Sequence, residues 1–360
     1  MTQTETAAPP EPVDWELAER VARRFAGREP IATSYLGGSL DSDFSAVTTQ
    51  AEDLVAGYTG LHAPGTASAC VLDRPQWVHA NVASMRRMLH PLTARVGERM
   101  ARSPVAPIGR RVAGTEMGVL LGFMAQRVLG QYDLIVPDDP GATATTDGSG
   151  AVYYVGANIL SLEKRYAFRP RDFRLWIAIH EVTHRAQFTA IPWMKQYFLG
   201  LVEQALAIVD PDPGRLVQAM VRAADELRKG RNPLDDGGLV ALFASQQQRG
   251  VLAQVQALMS LLEGHGNSVM NALGRAHVAG QERMARVLQA RRRSRGVAGI
   301  LYKLLGFESK LRQYEVGETF VAAVERAAGS RAIDAAWRGP EYLPTIEELS
   351  RPSEWLSRVA

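Results

Sequence analysis

The feature that most restricts this 360-residue chain is a pentapeptide, His180-Glu181-Val182-Thr183-His184, set inside an otherwise apolar run. Leu175-Trp176-Ile177-Ala178-Ile179 leads into it and Phe188 follows, with Pro170 before the run and Pro192 beyond it. The pattern predicts a helix over 171–188, punctuated by those prolines. Ionisable side chains in such a helix are costly to bury without partners. Residues four apart share one helical face, so both imidazoles can grip a single metal ion. Glu181 lies about 100° further round, towards the metal's open side. Its carboxylate can there take the proton of a metal-activated water as that water attacks a carbonyl. Chance produces this pentapeptide in roughly 0.008 of chains of this composition. The competing reading, a helix with two surface histidines, sits poorly with the apolar flanks.

The third ligand must come from elsewhere. The extension that supplies a third histidine in one zincin group is absent, because Gln187 and Ala190 stand where it needs Gly and His. Glu263 is the favoured candidate. Leu252, Val255, Met259 and Glu263 step by three and four residues, which puts this carboxylate on an inward apolar stripe. Glu203 competes, sitting among Phe198, Leu199, Val202 and Leu206, and His265 stands behind both.

Elsewhere the apolar spacing is helical. Asp14 is an N-cap candidate for a helix through Trp15, Leu17 and Val21. Pro75, Pro91, Pro104 and Pro107 break the stretch 73–111 into pieces. Gly114, Gly118 and Gly122 fall four apart and give the helix over 115–129 a smooth edge for close packing. Further helices are expected over 193–209, 214–227, 239–264, 267–289 and 309–328, and Thr345 with Glu348 forms a capping-box pattern. Strands are few: 132–136, and 151–159, which could hold an extended peptide by main-chain pairing at the edge of a cleft. Residues 1–13 read as a disordered lead and residues 14–360 as a single domain. The expected class is mainly α, with a small β-sheet next to the metal-binding helix.

Composition narrows the function classes. Lys and Arg number 41 against 38 Asp and Glu, a net charge of +3. That balance does not suit a polyanion-binding protein, so the arginines between Arg283 and Lys303 read as a solvated face and no nucleic-acid partner is expected. One cysteine, Cys70, excludes a disulfide framework or a multi-cysteine metal site. No apolar run is long enough to span a bilayer, and the lead lacks the basic residues and apolar core of a secretory signal. A cytoplasmic location away from membranes is the expectation.

Five segments resemble a zincin-like metalloprotease family of actinobacteria and their relatives, often called hydrolases associated with deazaflavin coenzyme biosynthesis. They are GVLLGFMAQRVLGQYD (118–133), HEVTHRAQF (180–188), LLEG (261–264), KLLGFESKLRQYE (303–315) and the ending 343–356. The resemblance spans nearly the whole chain from Trp15. It implies a mostly helical zincin-like fold and a zinc peptidase activity, and it favours Glu263 over Glu203. Two departures stand out against zincins at large: Arg185 is charged, and Gly264-His265-Gly266-Asn267 replaces the signature that follows the glutamate ligand in better-known glutamate zincins. The expectation is therefore one zinc ion on His180, His184 and Glu263, with Glu181 as general base in hydrolysis of a peptide or small amide. The rival is a non-catalytic zinc-stabilised scaffold or binding protein that retains the same motif.

Overall fold

The computed structural model describes residues 11–27, 37–90, 92–93, 97, 104, 106–134, 150–206, 246–293 and 308–360. These are mostly helical and include one three-stranded sheet. The chain divides into two compact units, Met1–Thr49 with Gly65–Arg174, and Gln50–Pro64 with Leu175–Ala360.

In the first unit, helix α1 (Trp15–Ala26) starts where Asp14 accepts a hydrogen bond from the Leu17 amide at 3.0 Å, the cap its sequence predicts. Val13, the last residue of the expected lead, is buried with Trp15, Trp77 and Leu121. Helix α2 (Gly37–Thr59) follows, and the division between units falls within it. Strand β1 (Ser68–Leu72) leads to α3 (Arg74–Met88) and α4 (Ala106–Ala125). Helix α4 lies against α1 along its three glycines. A Cβ on Gly114 would stand 2.5 Å from the Asp14 carbonyl oxygen, and one on Gly118 would stand 2.6 Å from that of Ala18. Only a bare backbone fits so near, which is what the four-residue spacing predicts.

Strands β2 (Gly130–Asp133) and β3 (Ala151–Val155) complete the sheet in the order β1-β3-β2. The buried β3 pairs parallel to β1, from Ser68↔Ala151 to Leu72↔Val155, and antiparallel to β2, from Gly130↔Tyr154 to Asp133↔Ala151. Two expectations need correction. The strand over 151–159 stops at Val155, and Gly156–Tyr166 is helix α5. Asn158 explains the switch, since its amide donates to the carbonyls of Ala125, the last residue of α4, and of Val128 just beyond it, at 2.8 and 2.6 Å. Both edges of β3 are paired, so it offers none to a peptide. Strand β1 is not anticipated, because Ser-Ala-Cys-Val-Leu shows no alternation.

In the second unit lie α6 (Pro170–Thr189) from Leu175 onward, α7 (Met194–Leu206), α8 (Gln246–His277), α9 (Gln281–Arg293) and α10 (Glu308–Ala328). Two short 3-10 segments, Ala332–Trp337 and Pro340–Tyr342, precede α11 (Ile346–Leu349) and α12 (Pro352–Val359). The helices expected over 239–264 and 267–289 meet differently: α8 runs unbroken to His277, and the break comes at Gly280, where φ is 77°. Gly264 does not interrupt α8 because it serves packing. A Cβ there would lie 2.3 Å from the Gly317 carbonyl carbon, so α8 and α10 cross backbone to backbone. Leu261, Phe320, Val324 and Trp355 fill the core around that crossing. The capping box forms as its sequence spells it, the Thr345 hydroxyl accepting from the Glu348 amide and the Glu348 carboxylate from the Thr345 amide. The helix expected over 214–227, and the basic segment beyond Arg293, lie outside the described residues. Among those described, no helix is long and apolar enough to cross a membrane.

Candidate metal centre

Helix α6 is buried almost all round. From Phe173 to Gln187 every residue is buried except His180 and His184, whose side chains keep 15% and 14% of their exposure. An amphipathic surface helix would show a polar face, whereas here only two imidazoles look out. Thr183 is fully buried and returns its hydroxyl to the Ile179 carbonyl at 2.7 Å. Arg185, the departure noted in the sequence, is also fully buried and is accommodated by partners. It donates to the Glu52 carboxylate at 2.6 Å and to the Pro64 carbonyl.

The imidazoles converge. Their Nε2 atoms stand 3.1 Å apart, and each is 3.7 Å from Oε2 of Glu263 on α8. No other group of three His, Cys, Asp or Glu ligand atoms among the described residues meets so closely. A point about 2 Å from all three atoms exists, which is the length of a zinc–nitrogen or zinc–oxygen bond. The donor set suits that ion as well as the geometry does. Glu203, by contrast, is exposed on α7 and takes no part in this cluster.

The neighbours set the chemistry of the imidazoles. Gln187 Nε2 donates to the Leu262 carbonyl at 3.0 Å and to His265 Nδ1 at 2.9 Å. A main-chain carbonyl can only accept, so the amide has one sensible orientation, with Oε1 facing His184 Nδ1 at 2.9 Å. His184 therefore carries a proton on Nδ1 and presents Nε2 to the cluster. His265 accepts rather than ligates. It is buried edge-on to Trp337, and burial together with the nearby His184 charge pushes its pKa down to about 3. Burial opposes a charge on His184 too. The carboxylates of Glu263 and Glu181 and the hydrogen bonds to Glu263 and Gln187 outweigh it and raise its pKa to about 9. Glu181 itself is buried, at 7% exposure.

Glycine completes the packing around the rings. A Cβ on Gly266 would come within 3.2 Å of His184 Cε1 and 3.4 Å of His180 Cε1, so a bare backbone lets α8 lie against both. The segment 261–264 thus divides its work within one turn. Leu261 and Leu262 enter the core, Glu263 faces the imidazoles and Gly264 admits α10. Sequence reasoning missed Gln187 and Gly266. A polar residue three positions after the second histidine, in an apolar helix, was the available signal for the first.

A family model described as zincin-like metallopeptidase matches residues 13–356. No protein of curated function matches the chain. Among solved structures, one from Chloroflexus aurantiacus described as a "putative hydrolase with a novel fold" shares 31% identity with it. That match covers 96% of this chain and 98% of the other, with a TM-score of 0.68. Since the family model runs through both units and includes the helix of the two imidazoles, the chain belongs to the zincin-like metallopeptidase family.

Proposed function

We propose that this protein hydrolyses amide bonds, above all peptide bonds, and that it holds one zinc ion per chain through His180, His184 and Glu263. The observation that carries the reading is the helix buried on all sides whose two imidazoles alone look out, their Nε2 atoms converging with Glu263 Oε2. A zinc ion bound there supplies Lewis acidity, which polarises a carbonyl and lowers the pKa of a water.

The remaining work belongs to the chain. Gln187 holds the His184 tautomer, leaving Nε2 free to donate its lone pair. Glu181 accepts the proton of the attacking water on its carboxylate and returns it to the departing amide nitrogen. Its burial excludes competing bulk water. The tie to deazaflavin coenzyme biosynthesis rests on the resemblance of segments alone, and the proposal stands without it.

Protein purified without chelators should carry about one zinc per chain. A chain that carries no transition metal and takes none up would sink the reading. With a substrate found in a library of internally quenched peptides, Glu181→Gln should keep its zinc and its fold. It should lose roughly 100- to 10,000-fold in rate. If it cleaves as fast as the parent, Glu181 is structural and the zinc-stabilised scaffold becomes the better account.

A further inference from the structure

The metal cluster stands at one end of a half-open strip that leaves it in a single direction. On α6, His180 and His184 are followed four residues later by Phe188, on the same helical face and likewise half-buried. On α8, Glu263 is preceded at steps of four by Met259 and Val255, both half-buried. The two helices run antiparallel. A Cβ on Gly274 would come within 3.1 Å of Trp176, one on Gly266 would meet the rings of His180 and His184, and Gln187 donates to the Leu262 carbonyl. Phe188, Met259 and Val255 therefore lie on the same side of the cluster. One turn the other way, Trp176 and Asn267 are 1% and 2% exposed, and the strip gives way to interior.

The open direction is also the apolar one, and its residues are well seated. Phe188 and Val255 rest on a buried cluster that includes Met194, Leu258 and Leu262, and the Phe188 ring stands edge-on to Phe198 with centroids 5.6 Å apart. Apolar side chains left partly in water beside a few convergent polar groups are the usual make-up of a ligand site. Phe188 follows His184 by one turn, about 6 Å along α6, a distance that a large side chain flanking the scissile bond can cover. Building on the peptidase reading above, we propose that Phe188, Met259 and Val255 form a specificity subsite, which takes a bulky apolar side chain of the residue next to the bond cleaved. Such a side chain sheds water against these three, whereas a charged one gives up hydration and finds no partner among them.

The test uses the zinc-loaded protein and two hydroxamates. Acetohydroxamate carries only the metal-binding group, whereas phenylbutyrohydroxamate adds a phenyl ring on a three-carbon tether. The native protein should bind the phenyl probe about tenfold more tightly, as expected for laying roughly 60 Å² of apolar surface against the strip. Met259→Gln keeps the length of the side chain and makes it polar. It should cut the preference to about threefold or less, with acetohydroxamate affinity and melting temperature unchanged. Phe188→Leu, which keeps the seat on Leu258 and Leu262 filled but removes the ring, should lower the preference by a similar factor with acetohydroxamate affinity unchanged. Equal affinity of the native protein for the two probes overturns the proposal. So does a preference that both variants retain in full. If neither probe binds, the metal reading fails and the subsite falls with it, whereas binding of acetohydroxamate upholds the metal and leaves the subsite to be judged by the phenyl preference.

Discussion

Two clusters of ionisable side chains, one in each unit, are built on opposite plans. In the first unit Arg174 donates from Nε and Nη2 to both carboxylate oxygens of Glu163, at 2.8 and 3.0 Å, and from Nη1 to Asp43. Every charge faces its opposite, and the forked geometry satisfies both partners. In the second unit two imidazole nitrogens and a carboxylate oxygen point at one spot. The positive charge at hand is a proton on His184, whose pKa is raised to about 9 despite burial. The first arrangement is finished as protein. The second is one that a cation would finish, and that contrast distinguishes a structural cluster from a candidate binding one more clearly than burial does.

Substitutions can break the contrast. The largest effect on stability is expected at Glu163, since its removal leaves the buried Arg174 with only the half-exposed Asp43. Glu163→Ala should cost about 3 kcal/mol in denaturant unfolding, with zinc content unaltered. Loss of zinc would mean that the two clusters are not independent. Glu263→Ala should behave conversely, weakening zinc retention by about a hundredfold or more while the metal-free fold survives. Glu203→Ala should leave retention at the native value, and the reverse result would hand the third position to Glu203. Gln187→Leu sharpens the comparison by loosening a ligand without removing it. Zinc affinity should fall about 10- to 100-fold in a competitive chelator titration, and an unchanged affinity would remove Gln187 from the site.

The smallest effect tests the closed plan where it recurs near the surface. Arg358 donates to both Glu348 oxygens at 2.7 and 2.8 Å. Those hydrogen bonds, with the Thr345 amide and the Arg358 charge, outweigh burial and lower the Glu348 pKa. A depressed carboxylate pKa stabilises above the ordinary value of 4.5 and loses that contribution as pH falls through the folded value. Arg358 is 38% exposed, so screening keeps the gain below about 1 kcal/mol. Arg358→Gln should therefore flatten the fall in melting temperature between pH 5 and 3. A slope identical to the parent's would show that the pair contributes nothing.

Local chemistry made much of this legible in the sequence. The caps at Asp14 and Thr345, the smooth edge of α4 and the convergence of His180 with His184 each involve residues within one or two turns of each other. Glu263 was reachable because its helix repeats an inward stripe and its segment resembles the family. What stayed hidden depends on partners distant in the chain. Strand β1 has no alternation of its own and is defined by pairing with β3. Asn158 ends a strand only because the last turn of α4 stands beside it. The role of Gln187 needs the Leu262 carbonyl and His265, which no spacing rule can supply.

Arg185 shows how such distant partners act on the site itself. A helix packed in apolar contact on every side has little to fix its angular setting, because hydrophobic contact is non-directional. Side-chain tips on a helix lie about 5–6 Å from its axis, so a 10° roll moves them about 1 Å. Working constellations tolerate roughly half of that. The guanidinium next to His184 in sequence, donating to Glu52 and to the Pro64 carbonyl, keys α6 like a notch on a shaft. The consequence is that the aim of the imidazoles is governed from a different side of the helix, by a residue that touches neither of them through any of these bonds.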